Sequence, residues 1–117
     1  MIVRPTIFHL RARDEVRALP KGVRISLGRA LFALQHGYRL GMPLSRPMPA
    51  VAPGVEELRL RDSDGQYRVF YYAKTAHGIL VLRAFQKKSA QTPFAEIVIA
   101  RRRLTEMLNA SEQTGRS

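Results

Sequence analysis

The chain has 117 residues, enough for one hydrophobic core and too few for two, so a single domain without an internal boundary is expected. Its 45% hydrophobic and 25% charged residues exclude intrinsic disorder, and the absence of cysteine excludes disulfides, thiolate zinc sites and a thiol nucleophile. Twenty Lys and Arg against nine Asp and Glu leave a net charge of +11, which points to a polyanionic partner, nucleic acid first, with an acidic protein or an anionic membrane surface as alternatives.

Near the N-terminus Arg4, His9, Arg11 and Arg13 interrupt every apolar run, so neither a cleavable signal nor a membrane span is predicted and a cytoplasmic location is expected. Residues 2–10 mix β-branched and aromatic side chains around Pro5, the composition of a strand at a sheet edge. Asp14 is placed to cap a short helix carrying Val16 and Leu19, and Pro20 either stops it or sits at the first turn of the next one. Over residues 21–35, Val23, Leu27, Ala30, Leu31 and Leu34 recur at helical spacing and make one stripe for a sheet to receive. Gly28 costs that helix roughly 1 kcal/mol relative to Ala, and His36-Gly37 is a C-terminal stop. Residues 38–54 carry Gly41, Pro43, Pro47, Pro49, Pro53 and Gly54 and read as a long irregular connection.

The strongest local signal follows. Residues 57–61 alternate, with Leu58 and Leu60 on one face and Arg59 and Arg61 on the other. Asp62-Ser63-Asp64-Gly65 is a turn, and the return strand puts Arg68 with Phe70 and Tyr72 on one face and Tyr67, Val69 and Tyr71 on the other, which predicts a β-hairpin. After a turn over residues 74–78, Ile79-Leu80-Val81-Leu82 is apolar on both faces and reads as a central strand. It leads through Arg83 and Phe85 to Lys87-Lys88. Pro93 marks the first turn of a last helix, with Thr92 or Ser89 as caps. Ile97, Ala100, Leu104 and Leu108 form its apolar stripe, while Arg101, Arg102 and Arg103 fan around it. The last nine residues are polar and expected to fray.

His9, His36 and His77 lie far apart without metal-ligand spacing, Gly-rich phosphate loops are absent, and Asp62 and Asp64 are accounted for by their turn. The cations differ, because Arg59, Arg61 and Arg68 alternate with core residues in strands and Lys87 and Lys88 end a neighbouring strand. Five positive groups then gather in a small area of one sheet. The alternative is that they guard sheet edges against aggregation.

The runs Val55-Glu56-Glu57-Leu58-Arg59-Leu60-Arg61-Asp62, Gly65-Gln66-Tyr67-Arg68-Val69-Phe70-Tyr71, Phe85-Gln86-Lys87-Lys88-Ser89-Ala90-Gln91-Thr92-Pro93 and Glu96-Ile97-Val98-Ile99-Ala100-Arg101-Arg102-Arg103-Leu104 resemble the HigB-like, phage-derived branch of the RelE/ParE toxins. The shared pattern is approximately Glu-Leu-Arg, Tyr-Arg, Phe-x-Lys-Lys-x-x-x-Thr-Pro and Glu-x-x-x-Ala-x-x-Arg, in that order, over about half the chain. The first half matches only in layout.

This resemblance implies an α+β fold, a small antiparallel sheet packed by helices in the order β-α-α-β-β-β-α, with residues 1–108 as the toxin domain and 109–117 as a polar tail. It implies the toxin of a type II toxin-antitoxin pair, a ribosome-dependent mRNA endoribonuclease that uses no metal or small-molecule cofactor and takes the RNA 2′-hydroxyl as nucleophile. The implied partners are a HigA-like helix-turn-helix antitoxin and the ribosome with bound mRNA, with no membrane. Arg68, Lys87 and Lys88 match the catalytic positions, and Arg59 and Arg61 the RNA- and phosphate-binding ones. Phosphate binding by Arg68 and stability would then draw on opposite faces of its strand, and Arg101 would be surface charge alone. The chain departs from relatives that place a catalytic histidine or tyrosine near the C-terminus, since residues 107–117 contain neither. Superfamily members that poison gyrase, and a general RNA-binding domain, are the alternatives.

Overall fold

A computed structural model of the chain describes residues 3–115. The elements are β1 (Thr6–Phe8), α1 (Leu10–Arg17), α2 (Lys21–Gln35), β2 (Ser45–Pro47), β3 (Val55–Asp62), β4 (Gly65–Thr75), β5 (Gly78–Lys87) and α3 (Phe94–Gly115). The five strands form one sheet in the order β1-β5-β4-β3-β2. Its pairs are antiparallel except at one edge, where Thr6, Ile7 and Phe8 run parallel to Ile79, Leu80 and Val81.

The expected α+β architecture is present with two additions, a parallel edge pair and a short strand in the connection read as irregular. Ser45-Arg46-Pro47 has neither alternation nor β-branched residues. It becomes β2 because β3 offers it a ladder, continued by the Arg59 amide donating to the Leu44 carbonyl at 2.7 Å. Asp14 caps nothing at the start of α1. The helix begins directly after β1, and His9 caps it by accepting the Arg11 amide on Nδ1 at 3.1 Å. α2 stops where expected, with Gly37 at φ 87° and the Gly37 and Tyr38 amides donating to the Leu34 and Ala33 carbonyls.

The sheet separates two cores. On one face Leu58, Leu60, Tyr67, Val69, Tyr71, Ile79 and Val81 meet Val23, Leu27, Ala30, Leu31 and Leu34 of α2. The hairpin alternation predicted this division residue by residue, and the Asp62 carboxylate closes the turn by accepting the Asp64 and Gly65 amides. On the other face Val55, Phe70, Leu80, Leu82 and Phe85 meet Ile97, Ala100 and Leu104 of α3. Leu108 does not join that stripe and is 38% exposed. Residues 109–115 continue α3 instead of fraying from it, and Ile2 and residues 116–117 lie outside the described residues.

A β-bulge between β4 and β5 shifts the register, so Phe70 faces Arg83 and Tyr71 faces Val81, leaving Leu82 as the extra residue. The bulge re-aims Arg83. Its guanidinium binds Glu96 of α3 through Nε at 2.9 Å and also reaches Glu15 of α1. Arg103, 4% exposed, donates to Glu15 and to the Leu82 carbonyl, so one ion network joins both helical layers to the central strand. Burial alone would raise the Glu15 carboxyl, yet hydrogen bonds from Arg103 and the Ala84 amide, with the Arg83 charge, hold it below its ordinary value. No described helix is long and apolar enough to cross a membrane.

Candidate functional site

Directly opposed residues of an antiparallel sheet point to the same face, so the register determines which cations gather. Arg59 lies opposite Arg68, and Arg68 opposite Phe85; one row further, Arg61 lies opposite Gln66, and Gln66 opposite Lys87. Arg59, Arg61 and Arg68, with Gln66, Pro43 and Leu44, line a cavity of about 410 Å³ at the turn end of the sheet. Lys87 shares the face but not the cavity wall. It stands two strands from Arg61, roughly 10 Å at normal strand spacing.

Two arginines placed directly opposite each other repel, and an arginine 4% exposed is costly to bury. Both burdens fall on Arg68. Burial, and then the charges of Arg59 and Arg46, lower its guanidinium from the ordinary value, while Glu57 pulls the other way. Glu57 is fully buried on the same face. One carboxylate oxygen accepts from Arg46 Nη2 at 3.0 Å and lies 3.6 Å from Arg68 Nε, and the other accepts from the Thr92 hydroxyl at 2.8 Å. Arg68 also donates from Nη1 to the Tyr67 carbonyl at 3.1 Å and from Nη2 to Gln66 Oε1 at 3.0 Å. Its Nε–H, beyond hydrogen-bond reach of Glu57, has no acceptor.

Arg68 therefore lines the cavity and pairs with buried Glu57 from a single face, so its cavity-facing and fold-supporting contacts are not divided between opposite faces of the strand as expected. The lysines behave unequally. Lys87 Nζ is engaged by the loop that follows β5, donating to the Ser89 and Ala90 carbonyls at 2.8 and 2.9 Å. Lys88 lies past the end of β5 and is exposed. Arg101 is more than surface charge, since its Nε donates to the Ala50 carbonyl at 2.8 Å and its guanidinium lies over the Phe94 ring. Thr92 is not a helix cap, because its hydroxyl goes to Glu57.

Sequence reasoning passed over Glu57, Gln66, Arg46 and the role of Thr92. Glu57 carried a readable signal, an acid in phase with Arg59 and Arg61 on the cationic side of an alternating strand. Arg46 carried none, sitting among prolines. Among the described residues no group of three His, Asp or Glu converges as a metal site would require.

Three comparisons place this geometry among known proteins. The family described as Phage derived protein Gp49-like (DUF891) matches residues 14–105. No curated protein matches the chain at a significant level. Among solved structures the fold is similar to E. coli toxin RelE, determined as a double arginine-to-alanine mutant in the free state, with 26% identity over 84% of this chain and 96% of that one and a TM-score of 0.58. Matched over most of its length and sharing the RelE architecture, the chain belongs to the phage-derived Gp49-like family of the RelE superfamily.

Proposed function

We propose that this chain is the toxin of a type II toxin-antitoxin pair, a HigB-like endoribonuclease that cuts mRNA on the ribosome. The observation that carries the reading is the Arg59, Arg61 and Arg68 cluster around one open cavity. Arginines gathered at one cavity wall suit a phosphate, whose oxygens would take paired, charge-assisted hydrogen bonds.

In the reaction the RNA 2′-oxygen bonds to the adjacent phosphorus as the bond from phosphorus to the 5′-oxygen breaks. The 2′-hydroxyl gives up a proton, and the leaving oxygen gains one. Arg68 stabilises the charge that gathers on the phosphoryl oxygens. Arg59 holds the same phosphate from the opposed strand, and Arg61, exposed at the rim, grips the RNA backbone. Lys87 and Lys88 supply the groups that exchange these protons. A separate HigA-like helix-turn-helix antitoxin neutralises the toxin by covering this basic face.

The test is cleavage of a defined message by the purified chain, mapped by primer extension with and without programmed ribosomes. Cuts that need the ribosome are expected. Equal cutting of naked RNA would replace the reading by a general nuclease. Binding without cutting would indicate a general RNA-binding domain. Gyrase inhibition in place of cutting would assign the fold to the other toxin activity.

A further inference from the structure

We propose that Glu57 is the positioning residue of this site, a resident anion that aims Arg68 and, through Thr92, fixes the loop following the lysine pair. The inference rests on the ribonuclease reading for the kinetic part of its test and on geometry alone for the rest.

A fully buried carboxylate persists only if its oxygens are satisfied by charge and hydrogen bonds. Glu57 meets that condition with groups from three separate segments: Arg46 on β2, Arg68 on β4 and Thr92 in the loop between β5 and α3. It lines none of the cavity wall, so it acts on the site through these neighbours. The two Nη atoms of Arg68 are bound within its own strand, to Tyr67 and Gln66. Glu57 is the acid that faces the remaining nitrogen. At 3.6 Å from this buried nitrogen it attracts the guanidinium and so holds the Arg68 side chain in direction. Each Nη carries a second N–H, so the guanidinium keeps donors for a phosphate beyond its bonds to Tyr67 and Gln66. Thr92 adds a second coupling. Its hydroxyl ties the loop that receives the Lys87 ammonium to the carboxylate that aims Arg68, so the basic pair and the phosphate clamp share one anchor.

Four proteins decide the matter: wild type, Glu57→Gln, Thr92→Val and Thr92→Ser. On programmed ribosomes under single-turnover conditions, Glu57→Gln is expected to lower the saturating cleavage rate by more than about tenfold and Thr92→Val by about threefold to tenfold. The half-saturating protein concentration stays within about twofold for both, and Thr92→Ser restores the rate because it restores the hydroxyl. A purely structural role would lower thermal stability without this division between rate and binding. The second measurement is the Arg68 Nε–H signal in nitrogen-15 spectra, titrated with inorganic phosphate. It is expected to be resolved in wild type and Thr92→Ser, to shift with phosphate, and to be broadened or displaced in Glu57→Gln. If wild type cuts no message, the ribonuclease reading fails and the Arg68 signal alone judges Glu57. If Glu57→Gln does not fold, the Thr92 pair judges it by the same two readouts. Rates and Arg68 signals unchanged across the variants overturn the proposal.

Discussion

Replacing Arg68 by alanine perturbs site and core together, and the structure sets the size of both effects. Removing one member of a buried ion pair costs about 3–5 kcal/mol when the survivor is left uncompensated. Here Glu57 would keep Arg46 at 3.0 Å and the Thr92 hydroxyl at 2.8 Å, and would give up only the 3.6 Å approach of Arg68 Nε. The substitution also removes a guanidinium with an unpaired buried donor and relieves its repulsion with Arg59. The net loss is therefore expected below the usual range, at about 1–2 kcal/mol. For a domain of this size that lowers Tm by roughly 3–12 °C, leaving the protein folded at room temperature. Cleavage, in contrast, is expected to fall at least about a hundredfold, because the interaction with phosphate forms fully only as phosphoryl charge develops. Thermal melts of wild type, Arg68→Ala, Glu57→Gln and the double variant measure the coupling. The losses should combine less than additively, by about 0.5–2 kcal/mol. Additivity within about 0.3 kcal/mol would show that the two charges do not feel each other, and Glu57 could not then be what holds Arg68 in place.

Three further outcomes are expected. Because the Glu15 carboxyl is lowered in the folded state, the unfolded chain binds more protons between the two values; the stability it contributes is present above the ordinary carboxylate range and lost as pH falls through the folded value. Melts from about pH 7 down to about pH 3 should therefore decline more steeply for wild type than for Glu15→Gln, and parallel curves would count against the ion network. Changing Lys87 or Lys88 to Arg should lower single-turnover cleavage more than about tenfold for at least one of them with binding little altered, since a guanidinium cannot give up its proton. The control is Arg102→Lys on the exposed side of α3, and wild-type rates in both lysine variants would reduce the pair to phosphate contacts. Gly78→Ala should cost more than about 2 kcal/mol in urea melts, because its φ of 143° disfavours a side chain and an added Cβ would stand 2.3 Å from the Pro5 carbonyl.

Where one periodicity dominated, the fold was legible. The stripe of α2 and the alternation of β3 and β4 each assigned side chains to the correct face, because burial on one side of an element leaves a repeat in the sequence. The same alternation placed Arg59, Arg61 and Arg68 together, as the cavity shows. Features that depend on a distant partner left no such trace. β2 exists because β3 is beside it, and β1 runs parallel because of where β5 lies. The bulge at Leu82 depends on how β4 and β5 settle on two cores at once. Glu57 and Thr92, separated by 35 residues, meet only after the sheet and the loop beyond β5 are in place. Lys88 looked equivalent to Lys87 in a dipeptide, and the end of the strand made them different.

The parallel edge also has a kinetic consequence. β3, β4 and β5 are joined by tight turns and can nucleate early, whereas β1 must reach β5 across most of the chain; Arg4, just before it, bonds the Thr75 carbonyl 71 residues away. Closing so long a loop costs entropy that a three-residue strand recovers only when the rest of the sheet is already waiting. β1, made before the other strands of the sheet, is thus expected to dock last and to leave first. Native-state hydrogen exchange should show the amides of β1 opening at lower free energy than those of β4, and substitutions in β1 should quicken unfolding while leaving the folding rate nearly unchanged.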